Sequence, residues 1–372
     1  MSLRSIAAKR SESAIRRRPG LAFALGALGL ALPALSLAAA VPLSPDGTIS
    51  VPAFVAPPGT IVSKELVASR VEHVMGERTL AGLPIDEFNA RLFGPRLELS
   101  KQKYRVKITP GVIAGVPVLT YEPADGVTPA MQGRVLLNVH GGGFNGCFVE
   151  CGGLEAVPMA SLTGGKVISI DYREGPGSQF PQASQDVAAV YREVLKTTDP
   201  KHVVLFGCSA GGSLTGQALA WFQREGLPTP AAAGIFCAGA DNPSKAGDSR
   251  IIGALLGDAE LSSAASVATA APAGAAPRGG YMRTASPSDP TAYPANDPQV
   301  LAKFPPTLVV VGSRDFAFSG AIHLHSLLVA NGVDARLHVW EGGRHAFFYD
   351  VRPPESGEAH RVMAKFFVDH MK

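Results

Sequence analysis

From residue 135 onward the chain is punctuated by short apolar runs, at 135–139, 166–170, 203–206, 232–237 and 306–312. Each is too short for a buried helix and reads as a strand covered on both faces. Segments of helical length and mixed polarity separate several of them, including 181–196 and 320–330. Strands that alternate with helices predict a mostly parallel central sheet flanked by helices, an α/β fold. In such sheets ligands gather beyond the carboxyl ends of the strands, so the residues that follow each run are the ones to inspect.

The run at 203–206 leads into Gly207-Cys208-Ser209-Ala210-Gly211, and small residues then open a helix. A serine hydroxyl is a poor nucleophile and must be lifted clear of the backbone for a base to reach it. A sharp strand-to-helix turn of the form G-x-S-x-G does that, with glycines relieving the crowding. Ser209 would then stand at a helix N-terminus, where free N–H groups favour developing negative charge. The run at 135–139 leads into His140-Gly141-Gly142-Gly143-Phe144. Backbone without side chains lets N–H groups approach a substrate oxygen, as an oxyanion hole requires. A phosphate-cradling loop would carry Lys-Ser or Lys-Thr at the helix start, and none is present.

Two further runs supply partners. After 306–312 comes Ser313-Arg314-Asp315, and after an alternating strand at 336–340 comes Glu341-Gly342-Gly343-Arg344-His345. A base that takes the serine proton and a carboxylate that holds the imidazole complete a triad. Ser209, Asp315 and His345 follow one another in the order expected of an α/β-hydrolase.

The N-terminus is of another kind. Arg4, Lys9, Arg10 and Arg16-Arg17-Arg18 precede an apolar run at 21–37 and then Ala38-Ala39-Ala40. This predicts a secretory signal peptide over 1–40, cut after Ala40; an uncleaved membrane anchor is the alternative. The leader carries six of the 34 Lys and Arg and one of the 31 Asp and Glu, leaving 28 basic and 30 acidic residues. The net charge of +3 is therefore a leader effect, and the remainder implies no face for nucleic acid or anionic lipid. An apolar fraction of 46% against 17% charged fits a globular core.

Residues 41–130 read as a linker rich in Pro and Gly, helices at 63–74 and 84–93, and a strand pair at 104–108 and 116–121. The catalytic core is expected over 131–372, with a cap insertion at about 241–300 where Ala, Ser, Pro and Gly dominate. Phe144, Phe148 and Tyr281 are candidates for an acyl pocket, ordinary core being the alternative. Cys208 and Cys237 read as small buried fillers. Cys147 and Cys151, four apart in a Gly-rich loop, can pair in an exported chain. No metal-ligand set stands out.

HGGG at 140–143, GCSAGG at 207–212, DYR at 171–173, FP at 180–181 and RHAFF at 344–348 together resemble the hormone-sensitive-lipase-like esterases of the α/β-hydrolase fold. The resemblance covers roughly residues 60–370. It implies Ser209 as nucleophile, His345 as base, Asp315 as its orienting acid, and oxyanion donors on Gly141, Gly142 and Ala210. It also implies a cap over a short acyl site and no cofactor. Three positions depart from the family pattern. Cys208 stands where Asp is usual, Glu174-Gly175-Pro176-Gly177 replaces the usual L-A-P-E, and Ser319 replaces a second aspartate. The hydrogen bonds that support the serine must therefore differ.

The expected activity is hydrolysis of short-to-medium acyl esters through an acyl-enzyme, acting on a small molecule. Lactone or amide hydrolysis on the same triad is the first alternative. A non-catalytic ligand-binding protein of the same fold is the second.

Overall fold

In the computed structural model eight strands hydrogen-bond into one sheet: β1 (Val106–Ile113), β2 (Val116–Pro123), β3 (Val135–Val139), β4 (Lys166–Ile170), β5 (Val203–Cys208), β6 (Ala232–Phe236), β7 (Thr307–Gly312) and β8 (Ala335–Trp340). Residues 43–45, 47, 55–242, 247–249, 251, 253 and 280–371 are described. The sheet belongs to a unit spanning Ala56–Lys372. Its order is β1-β2-β4-β3-β5-β6-β7-β8. β1 pairs antiparallel with β2, and β2 with β4; all other neighbours are parallel.

Period-two alternation sends successive side chains of each inner strand to opposite faces. Leu137, Val139, Leu205, Val309 and Val311 enter one core, and Leu136, Val204, Phe206, Leu308 and Val310 the other. Helices α4 (Gln182–Val194), α5 (Ala210–Arg224) and α6 (Phe318–Ala330) cover the first face, through residues such as Tyr191, Leu214, Phe222, Leu324 and Leu328. Helices α3 (Phe148–Thr163) and α7 (Pro354–His370) cover the second, through Leu154, Val157, Phe366 and Phe367. Burying each such side chain stabilises the fold by roughly 1.5–3 kcal/mol before chain entropy is counted.

Helices α1 (Lys64–Leu80) and α2 (Ile85–Tyr104) precede the sheet. Ser63 caps α1 by accepting from the Leu66 N–H at 3.0 Å, and its own N–H and hydroxyl donate to Glu355 at the start of α7. A second tie runs from Glu72 of α1 to Arg352, which also donates to the buried carboxylate of Asp350. Burial pushes the Asp350 carboxyl up, but hydrogen bonds from the Arg352 side chain, Ser69 and the Arg352 N–H outweigh it and hold the group at about 2.

Two local expectations change. The helix expected at 84–93 continues to Tyr104 with Pro95 inside it, because packing of α2 on α3 outweighs the lost hydrogen bond. The Gly-rich stretch that holds Cys147 and Cys151 is no loop: Cys147 is the N-cap of α3, Cys151 lies in its first turn, and the two form a disulfide. Cys208 and Cys237 are buried free thiols, as expected. The leader at 1–40 and most of the insertion at 241–300, including part of its expected helix, lie outside the described residues. Among the described residues no helix is long and apolar enough to cross a membrane.

Candidate active site

β5 ends at Cys208 and α5 begins at Ala210, so the whole turn between strand and helix is one residue, Ser209, at φ 60° and ψ −122°. A non-glycine residue there costs roughly 1–3 kcal/mol and persists only where its surroundings enforce it. They do so by close backbone contact. A Cβ on Gly207 would lie 2.0 Å from the Val139 carbonyl oxygen, and one on Gly212 would lie 2.6 Å from that of Phe236. The Ser209 N–H donates to the Phe236 carbonyl at 2.9 Å, fastening the turn to β6.

The loops after β7 and β8 bring the other two residues to the serine. The Arg314 N–H donates to the Gly343 carbonyl at 3.0 Å, and the Gly342 N–H to Ser313 Oγ at 2.9 Å. Those bonds lock the loops together beside the elbow. His345 Nε2 lies 2.8 Å from Ser209 Oγ, and His345 Nδ1 lies 2.8 Å from Asp315 Oδ1. Asp315 is buried and also accepts the Ala317 N–H at 2.8 Å. Phe316 stacks on the imidazole, ring centres 4.2 Å apart. The three residues expected to act together are thus in one hydrogen-bonded line.

The Gly141–Gly143 run leaves β3 and bends under Ser209. Gly142 has φ 119°, and a Cβ there would fall 1.8 Å from the Gly146 carbonyl oxygen, so only glycine fits. Among the described residues the N–H groups of Gly142 and Ala210 have no acceptor. Gly141 behaves otherwise, and the expectation for it is corrected. Its N–H donates inward to Glu155 Oε1 at 3.0 Å and is not available to a substrate. His140, fully buried, stacks on Tyr172 with ring centres 4.4 Å apart, and burial pushes its imidazole down to about 4.

A cleft of about 320 Å³ opens over Ser209, lined by Phe144, Ser213, Cys237, Asp241, Phe316 and Ser319 among others. Phe144 is where it was expected. Phe148 and Tyr281 are not on the cleft. Phe148 packs against His140, with ring centres 5.6 Å apart. Tyr281 lies behind Phe144, stacked on it at 4.4 Å with its hydroxyl accepting the Ala183 N–H at 2.7 Å. A larger recess of about 780 Å³, around Arg134 and Lys166 at the amino ends of β3 and β4, holds none of these residues. Among the described residues one trio has metal-ligand spacing, Cys237, Asp315 and His345, within 4.8 Å of one another. Two of its members are already engaged with Ser209 or with each other.

Glu155 is the residue the sequence reading missed. It is a buried acid on α3, and its carboxyl accepts from Asn138 Nδ2 at 2.8 Å, the Gly141 N–H at 3.0 Å, the Cys208 N–H at 3.2 Å and the Tyr349 hydroxyl. Burial pushes its carboxyl up, and the four donors pull it back down. The signal was a single charge inside the apolar stretch 152–160, where a carboxylate is unexpected without partners.

The family described as alpha/beta hydrolase fold matches residues 136–349 of this chain. Over 269 residues the chain is 30% identical to an acetyl-hydrolase of Streptomyces hygroscopicus, covering 70% of this chain and 83% of that one. The solved structure of an esterase, E25, aligns with a TM-score of 0.71 at 26% identity, over 87% of this chain and 99% of that one. An esterase from the bacterial hormone-sensitive lipase (HSL) family aligns with a TM-score of 0.68 at 25% identity, over 83% and 99% of the two chains.

Proposed function

Since this chain belongs to the alpha/beta hydrolase fold family, we propose that it is a serine carboxylic-ester hydrolase with Ser209 as nucleophile, His345 as general base and Asp315 as the acid that orients it. The observation that carries the assignment is the line from Ser209 Oγ to His345 to Asp315, each step 2.8 Å. His345 Nε2 takes the hydroxyl proton as Ser209 Oγ bonds to the ester carbonyl carbon. Asp315 holds the Nδ1 proton, which fixes the tautomer and stabilises the imidazolium. The carbonyl oxygen becomes an oxyanion facing the N–H groups of Gly142 and Ala210. Each such donor is worth about 10²–10³-fold in rate. The imidazolium then protonates the leaving alcohol. Water, activated by the same histidine, hydrolyses the acyl-enzyme.

A short acyl group fits a cleft of about 320 Å³, and the acetyl-hydrolase relative agrees with that size. We assign residues 1–40 as a cleaved export signal, on their basic, apolar and small-residue order. Residues 41–130 form the linker, cap helices and sheet edge, and 131–372 the catalytic core with its insertion at about 241–300.

The test is hydrolysis of p-nitrophenyl esters from acetate to palmitate by the full chain, with and without an organophosphonate. Rapid turnover of short esters, abolished with the label on Ser209, is the expected result. Turnover that survives Ser209→Ala in folded protein would overturn the assignment.

A further inference from the structure

We propose that Glu155 is a positioning residue for ester hydrolysis: its carboxyl ties the Gly141–Gly142 turn and the Cys208–Ser209 elbow to one buried anchor and so sets the distance between the oxyanion donors and the nucleophile. The inference rests on the reading of Ser209 as that nucleophile.

The sheet explains why an anchor is needed there. β3 and β5 pair in register from Val135↔Val203 only as far as Asn138↔Phe206. Beyond that point the ladder stops although the backbones stay in contact, a Cβ on Gly207 falling 2.0 Å from the Val139 carbonyl oxygen, and each chain heads into one half of the site. The end of the ladder leaves the N–H groups of Gly141 and Cys208 without a ladder partner, and both residues are buried. A buried N–H with no acceptor is strongly unfavourable, so the space between the two must hold one. Glu155 reaches into it from α3, with Oε1 taking the Gly141 N–H and Oε2 the Cys208 N–H.

The remaining bonds hold the anchor itself. Oε2 also accepts from Asn138 Nδ2, whose Oδ1 in turn accepts from Ser169 Oγ at 2.8 Å on β4. Oε1 also accepts from the Tyr349 hydroxyl, four residues beyond His345. A carboxylate has about four acceptor sites, and four donors from β3, the glycine turn, the end of β5 and the loop after His345 occupy them. One rigid group therefore touches every segment that carries a reacting atom, apart from the Asp315 loop. Turning the Gly141 N–H inward also fixes that peptide, and with it the direction of the next N–H, on Gly142. Cys208 offers no carboxylate of its own in front of the serine, and Glu155 supplies one from another helix.

The experiment compares the full-length wild type with Glu155→Gln and Tyr349→Phe on p-nitrophenyl acetate and butyrate. Thermal unfolding and the rate of organophosphonate labelling of Ser209 are recorded alongside. In Glu155→Gln an amide NH₂ replaces one acceptor oxygen, so two of the four donors lose their partner whichever way the amide turns. The expected result is a cooperative unfolding transition, kcat lowered about 10- to 100-fold, KM within about threefold, and labelling slowed in parallel. Tyr349→Phe keeps both critical acceptors and loosens only their anchor, so kcat should fall about three- to tenfold at the same KM. A folded Glu155→Gln protein whose kcat matches wild type, or that is impaired in KM alone, would overturn the proposal. Should Glu155→Gln fail to fold, Tyr349→Phe decides: an unchanged kcat there overturns it equally. Failure of the serine-hydrolase reading is seen elsewhere, in a wild type that neither turns over nor labels.

Discussion

Gly211 meets Val139 so closely that a Cβ on the glycine would stand 1.9 Å from the Val139 carbonyl oxygen. The helix that starts beside Ser209 and the strand that delivers the glycine turn are therefore in backbone contact, with no side chain between them to yield. Gly211→Ala should cost about 3 kcal/mol of stability, the upper part of the range for overpacking, and most of the ester turnover. Urea denaturation together with turnover checks this. Wild-type stability in that variant would mean that the two segments are free to separate.

The strained backbone of Ser209 separates its two roles. Ser209→Ala and Ser209→Gly should both lose turnover by roughly 10⁵-fold or more, since neither has a nucleophile. Glycine adopts φ 60° without penalty and alanine does not. Ser209→Gly is therefore expected to be more stable than Ser209→Ala by about 1 kcal/mol, with a correspondingly higher denaturant midpoint. Equal midpoints would show that the turn is relaxed.

Neighbouring glycines of the oxyanion turn should respond differently. Gly142→Ala drives a Cβ into the Gly146 carbonyl and must displace its own N–H, so kcat should drop about 10²-fold. At Gly143 a Cβ would meet only Asn145 Nδ2, at 3.5 Å, with φ 66°. That substitution should cost about 1 kcal/mol in stability and little in kcat. Steady-state kinetics of the pair distinguish a donor from a spacer.

Acid stability offers a fourth measurement. The Asp350 carboxyl is held at about 2, below its ordinary value near 4, so its contribution is present in full above about pH 4. It is lost as the pH falls from 4 through 2. The wild type should exceed Asp350→Asn by about 2 kcal/mol at pH 7, with the gap closing over that interval. Denaturation series at pH 7, 4, 3 and 2.5 follow it. A gap that is constant with pH would mean that Arg352 does not recognise the charge.

The three residues proposed to react were legible because each follows an apolar run, and the chemistry restricts what such a position can hold. Ser209, Asp315 and His345 could be named from their order alone, and the structure brings them within hydrogen-bonding distance. What could not be read is contact set by packing between distant segments. The inward turn of the Gly141 N–H depends on an acid 14 residues away on a helix that the Gly-rich stretch disguised. The helix expected at 84–93 was too short, because tertiary packing carries α2 through Pro95 to Tyr104. Of the three aromatics expected to line the pocket only Phe144 is on the cleft, because which ring faces it depends on stacking order, and that leaves no mark on spacing.

The stack of Tyr281 on Phe144 makes a mechanical linkage. Tyr281 belongs to the short turn Tyr281–Thr284, at the start of the described residues 280–371. It is bolted to the start of α4 by the Ala183 N–H and by the Phe180 N–H, which donates to its carbonyl at 2.9 Å. Phe144 is two residues from Gly142 and forms one wall of the cleft. This pair of rings is one route by which a shift of the 281–284 turn reaches Phe144 and the glycine turn beside it; the other runs from Arg283 through the Ser178 carbonyl to the Gly175 N–H, which donates to the Phe144 carbonyl. A substitution that displaces the Tyr281 ring is thus expected to displace the cleft wall at Phe144 with it.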